Sequence, residues 1–461
     1  MKTEHYRMYT VKTDPAMKCR LKMSFSLDKS YVVYDKINNV DENLSYDGFK
    51  IFIHYSNNSY FRNLDDLKHT QSLLLTVLGI ISFFTNSAVY INLETYFHSL
   101  KIDSFPIKSR KNTLLIDDKD YTQDLNSLLA QIKDQHSLLP SILDKLRRVQ
   151  LKTQVSADAF MDFDDALLCM VQALEILVSK FEGKIEDNFK RQLNAFLTSF
   201  FTPSLFDPEC TMGDIKASER EITKFLYKEK VGLSTKLKFV LNEHGLLDDN
   251  ISYFIDNIIK SRNLIAHGNK FDENSLLIYS QFFSASDYTL RDLITLEDLT
   301  LCLISTHFGL NIWTDKINNV KSHIPLSYTT FRKILKQELG IEEVYGNSLD
   351  SNKTYNEQMW LTVMFYYVKI KKIRKKIEKV FKKYFLNTEF DSQYATDIAN
   401  LSLPLSEAYD PEIRDKARDN IKRVIDLDRN IFGRYYAAIE VKPSDLKYKW
   451  FEQYICSICF R

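Results

Sequence analysis

A chain of 461 residues is long enough for two or three domains, and 44 % apolar residues with 31 Phe and 26 Tyr can fill sizeable cores. Only 11 Gly and 9 Pro interrupt it, which points to a mainly helical protein with short connections. Lys plus Arg (62) nearly balance Asp plus Glu (61), so a globally basic nucleic-acid binder is excluded and any such partner must be held by a local patch.

The N-terminal stretch MKTEHYRMYTVKTDP has no apolar core of the kind a secretory signal needs. KCRLKMSFSL, SYVVYD, FKIFIHY and SAVYINLETYF follow as short runs rich in β-branched and aromatic residues, separated by polar turns at Lys36–Asn43 and Ser56–Ser59. Residues 71–93, QSLLLTVLGIISFFTNSAVYINL, carry no charge, but their dense apolar part is too short for the roughly twenty residues a membrane span needs. They predict a buried helix to about Phe84, a turn at Thr85-Asn86-Ser87 and then a strand. Residues 111–150 read as a polar helical connection broken by Pro140.

From Ser156 the pattern is helical. Phe163, Leu167, Met170, Val171, Leu174, Leu177 and Val178 fall on one face of the first run. Asp162, Asp164 and Asp165 at its start are expected to meet the helix dipole rather than a metal. Further helices are expected at about 185–202, 216–229, 232–243, 249–267 and 289–313, and long ones after Pro325. The chain therefore divides into an α+β, β-rich N-terminal domain (1–150), a central helical bundle (151–315) and a helical C-terminal region (316–461).

The helix predicted to end near 267 carries Ile251, Phe254, Ile255, Ile258 and Ile259 at three- and four-residue steps, with Gly268 placed as a left-handed terminator. Asn263 and His267 are four apart and share a face, and the long side chain of Arg262 can swing round to them. A fixed cation, an amide and a titratable imidazole are the tools needed to cleave RNA by its own 2′-hydroxyl. A solvated basic helix end is the plainer reading of any one of them.

Arg262-Asn263-Leu264-Ile265-Ala266-His267-Gly268 resembles the motif of HEPN-domain ribonucleases, and Ala173-Leu174-Glu175 resembles the ALE pattern of Apea-like HEPN domains. The likeness spans roughly 155–315. It implies a four- or five-helix bundle whose dimer brings two motifs into one RNase site. The catalytic residues would be Arg262 for phosphorane charge, His267 as general acid or base, and Asn263 to orient the phosphate or the histidine. Glu175 is a candidate partner for Arg262, or an ordinary helix-pairing glutamate.

KIKKIRKKIEKVFKKY, residues 369–384, holds nine Lys or Arg against one Glu around a stripe of Ile370, Ile373, Ile377, Val380 or Phe381, and Tyr384. It predicts one amphipathic helix with Lys371, Lys372, Arg374, Lys375, Lys376 and Lys379 as RNA-binding candidates, anionic lipid being the competitor. Cys456-Ser-Ile-Cys459 lacks further ligands and reads as two buried cysteines, with a zinc shared across a dimer as the rival. The other cysteines, at 19, 169, 210 and 302, form no disulfide framework, in keeping with a reducing, cytoplasmic compartment. No GxxxxGK[ST], HExxH or GxSxG element occurs, so no cofactor or metal is expected.

By the resemblance, the chain is a metal-independent endoribonuclease acting on tRNA or mRNA in anti-phage defence. It would be a cytoplasmic homodimer without membrane attachment, its N-terminal domain having a sensing or regulatory role and a phage-derived trigger acting there. The rivals are an inactive HEPN-fold RNA-binding module and a dimerisation scaffold.

Overall fold

The computed structural model describes residues 5–13, 20–28, 30–39, 44–55, 64–91, 98–101, 111–134, 138–154, 159–200, 216–217, 220–223, 231–267, 285–345, 356–427 and 448–459. They form two compact units, one of residues 1–246 with 299–316 and the other of residues 247–298 with 317–461.

The first unit starts with an antiparallel sheet of β1 (His5–Thr13), β2 (Leu21–Leu27), β3 (Ser30–Asn39), β4 (Leu44–Tyr55), β5 (Val89–Ile91), β6 (His98–Lys101), β7 (Thr113–Ile116) and β8 (Lys119–Asp120). Its order is β5-β1-β4-β3-β2-β7-β8, with β6 also paired to β1. Alternation sets the faces: Met23, Phe25 and Leu27 of β2 are buried while the residues between them are not. The predicted turn at Lys36–Asn43 is shorter than expected, because Lys36 to Asn39 stay in β3 and pair with Leu44 to Asp47. Residues 56–59 lie outside the described residues.

Helix α1 (Leu64–Thr85) ends where expected, with Asn86 in the left-handed region (φ 47°) and β5 beginning at Val89. No helix among the described residues is long and apolar enough to cross a membrane. Residues 111–150 are not a polar connection. β7 and β8 form a hairpin through Asp117 (φ 47°) and Asp118 (φ 65°), a turn that Asp tolerates but that carries no glycine to announce it. Helices α2 (Thr122–Ile132) and α3 (Leu139–Gln154) follow, burying Leu125 and Leu128, and Ile142, Leu143 and Leu146. Pro140 sits in the first turn of α3, where its missing N–H costs nothing, so it starts this helix.

Helix α4 (Ala159–Ser179) buries all seven residues of its predicted face, from Phe163 to Val178. Asp165 stands beyond the first turn of α4, where it accepts from the Lys152 ammonium at 3.0 Å. Helices α5 (Glu182–Phe200) and α6 (Leu233–Glu243) complete this run, the predicted helix at 216–229 being described only in fragments. Within the same unit Asp124 accepts from Asn311 N, Asn311 Nδ2 and Ile312 N at 2.8–3.1 Å, and the Trp313 indole donates to Phe83 O at 2.9 Å.

The second unit holds α7 (Asp249–Ala266), α9 (Lys316–His323), α10 (Tyr328–Leu335), α11 (Ile341–Tyr345), α12 (Glu357–Lys369), α13 (Arg374–Asn387), α14 (Ala395–Leu405), α15 (Pro411–Leu427) and α16 (Lys449–Cys459). Helix α8 (Ala285–Phe308) contributes to both units and ends at Gly309 in the left-handed region (φ 65°). Every residue of α12 from Met359 to Val368 is buried, so this helix is the axis of an aromatic core containing Trp360, Phe365, Phe331, Phe381 and Phe451. Several helices after Pro325 are shorter than the long ones expected.

Candidate functional site

Helix α7 carries the motif and is fixed at its start. The Asp248 carboxylate accepts from the N–H groups of Asn250 (2.9 Å) and Ile251 (2.8 Å), a side-chain N-cap, and Asp249 adds favourable negative charge to the first turn. Ile251, Phe254, Ile255, Ile258 and Ile259 are buried, as their spacing requires. Inside the second unit, Asn250 Oδ1 accepts from Ser327 N (2.7 Å), and the Lys369 ammonium donates to Tyr253 OH (3.3 Å). The Tyr253 ring packs edge-on to Phe365 at 6.5 Å. The helix is thus a braced lever whose far end presents the motif.

At that end His267 is the C-cap (φ −92°, ψ 12°), its N–H directed at the carbonyls of Asn263 (3.1 Å) and Leu264 (3.2 Å). Asn263, Ala266 and His267 are exposed and Arg262 is half-buried. Arg262 Nη1 donates to Asn263 Oδ1 at 3.1 Å, so guanidinium and amide are already joined, with the imidazole one turn further on the amide's face. Gly268, expected to terminate the helix, lies outside the described residues. Glu175 is half-buried on α4.

The basic segment is not one helix. Helix α12 stops at Ile370 (φ −126°, ψ 90°), Lys371–Ile373 is a single 3-10 turn, and α13 starts at Arg374. Arg374 causes the break to hold. It is buried, and its guanidinium donates to Tyr367 O (Nε, 2.7 Å) and Val368 O (Nη2, 3.1 Å), carbonyls that the end of α12 leaves open. It therefore takes no part in an exposed basic face. Lys371, Lys372, Lys375, Lys376 and Lys379 are all exposed, and among the described residues none of them has an ion-pair partner. Ile377 and Phe381 of the predicted apolar stripe are buried in the aromatic core, with Ile370, Ile373, Val380 and Tyr384 packed partly against it.

A histidine pair escaped the sequence. His244 and His307, at the ends of α6 and α8, approach to 5.3 Å between ring centroids, and Phe181 packs on both. Burial, then the neighbouring His244 and the ammonium groups of Lys180 and Lys184, hold His307 down at about 4, and burial lowers His244 too. The two are far apart in the chain, so no local spacing could have announced them. Cys456 is exposed, not buried as expected, and the side chain of Cys459 lies outside what is described. Among the described residues no group of three or more His, Cys, Asp or Glu is placed to hold a metal ion.

Residues 168–298 match the family model described as Apea-like HEPN. No curated protein and no solved structure matches the chain.

Proposed function

We propose that this chain, whose residues 168–298 match the Apea-like HEPN family model, is an endoribonuclease that cleaves RNA by attack of its own 2′-hydroxyl. HEPN domains are usually ribonucleases and commonly dimerise. The observation that carries the reading is the end of α7, inside the matched segment, where half-buried Arg262 is bonded to exposed Asn263 and exposed His267 caps the helix one turn after the amide.

In the proposed step the 2′-oxygen bonds to the adjacent phosphorus while the bond from phosphorus to the 5′-oxygen breaks. The products are a 2′,3′-cyclic phosphate and a 5′-hydroxyl. His267 takes the 2′-hydroxyl proton or gives one to the leaving 5′-oxygen. Arg262 stabilises the charge that builds on the phosphorane, and Asn263, already held by Arg262, orients the phosphate or the imidazole. Imidazole, guanidinium and amide suffice for this chemistry without a metal. The 2′-oxygen must swing in line with the leaving group, which favours single-stranded tRNA or mRNA segments.

Two motifs from a homodimer would complete one site. Residues 151–315 would be the cutting domain and 1–150 the sensing domain, a phage-derived product being the trigger in anti-phage defence. The lysines of the 371–379 segment belong to the same compact unit as α7 and would hold the RNA backbone by salt-dependent contacts.

Expression of the wild-type chain and of Arg262→Ala and His267→Ala in growing cells tests the proposal. Growth arrest with RNA breakdown is expected from the wild type and from neither variant. The chemistry assigned to these side chains is worth about 100- to 10,000-fold in rate for His267. RNA breakdown undiminished in both variants would place the chemistry on other residues.

A further inference from the structure

The loop between α14 and α15 holds an exposed tyrosine beside the basic helix. Tyr409 is 53 % exposed, whereas Trp360, Phe365, Tyr366 and Tyr367 of the same unit are buried. The ammonium of Lys375 lies 4.9 Å from its ring centroid. The position is built, not incidental. Glu378, a buried carboxylate on α13, accepts from Tyr409 N (3.1 Å) and Asp410 N (2.9 Å), and from the Tyr367 hydroxyl (2.7 Å). One carboxylate thus ties the loop to the helix that carries the lysines.

The charge around the ring is sorted. Lys382 is neutralised by Asp410 (2.8 Å) and Glu412 (3.0 Å), whereas Lys375 and Lys379, one turn apart, are paired with no carboxylate among the described residues. An exposed ring with one unpaired ammonium over it, and a second one turn further along the same helix, is an arrangement that can stack a base and hold its phosphates. A bilayer is disfavoured as occupant, because Ile377 and Phe381 of α13 are buried in the core and leave no apolar face to insert.

We propose that Tyr409, with Lys375 and Lys379, is a single-stranded RNA platform on which one unpaired base stacks. This deepens the ribonuclease reading and rests on it, by naming a substrate contact remote in sequence from the cleavage motif.

The test measures the full-length chain against a short fluorescent single-stranded 2′-O-methyl RNA, which resists cleavage, over a series of salt concentrations. Tyr409→Ala is expected to weaken binding roughly 5- to 150-fold with the salt slope unchanged, and Tyr409→Phe to bind as the wild type does. Lys375→Ala should lower the salt slope by about 0.7. An oligonucleotide of abasic residues should bind the wild type only as well as the normal one binds Tyr409→Ala. Equal affinities of wild type and Tyr409→Ala, with RNA otherwise bound, would overturn the platform and leave the nuclease reading standing. Wild type that binds no RNA at low salt, or that binds phosphatidylserine vesicles instead, would overturn both.

Discussion

Arg374 stands among lysines in KKIRKKIEK, yet its neighbours face water and it does not. The planar guanidinium reaches two successive carbonyls at once, which a lysine ammonium on a flexible stem cannot do as well. Arg374→Ala is expected to cost about 2–4 kcal/mol in urea unfolding, and Arg374→Lys to recover only part of it. An unchanged midpoint in Arg374→Ala would remove this role. Gly79 is a second such position, since a Cβ there would lie 2.9 Å from Leu143 Cβ and 3.1 Å from its carbonyl carbon. Gly79→Ala should therefore destabilise by about 1–3 kcal/mol, read in the same assay. At this scale the sequence was partly legible. Helical spacing puts Asn263 and His267 on one face, and the Arg262–Asn263 hydrogen bond joins the offset arginine to the amide. The buried Arg374 does not follow from the sequence, because composition marks a basic run without saying which member turns inward.

At the scale of elements, periodicity told most where a face is buried. The stripe of α4 and the helix–turn–strand of residues 64–91 follow from it directly. It failed where a turn lacked its usual residues, as in the Asp117-Asp118 hairpin, and where a helix end is capped by a buried arginine side chain rather than marked by Gly or Pro, as at Ile370. The histidine pair joining the ends of α6 and α8 gives a pH dependence. An unfolded chain protonates His307 near pH 6.5, whereas the folded one does so only near pH 4. Between those values the unfolded state binds more protons, so the contribution is full above about pH 6.5 and is lost as pH falls toward about 4. His244, Glu243, Lys180 and Lys184 are the charged or titratable groups around the pair. His307→Phe, which keeps a ring against Phe181, should lose less melting temperature than the wild type between pH 7 and pH 5. A loss equal to the wild type's would assign the acid sensitivity elsewhere.

At the scale of the molecule, a net charge of +1 conceals one strongly basic segment in the compact unit that also holds the motif helix. RNA affinity should therefore fall steeply with salt although the chain as a whole is neutral. A site built from two motifs should also lose specific activity on dilution below the dimer dissociation constant, which activity measured against protein concentration would reveal. Constant specific activity across a dilution that gives monomer would mean one motif suffices.

The most direct measurement is a digest of single-stranded RNA by purified chain in EDTA, with wild type, Arg262→Ala and His267→Ala compared and the new ends identified. The account predicts 2′,3′-cyclic phosphate and 5′-hydroxyl ends from the wild type and uncut RNA from both variants. Cleavage that requires added metal, leaves other ends, or persists in both variants would contradict it.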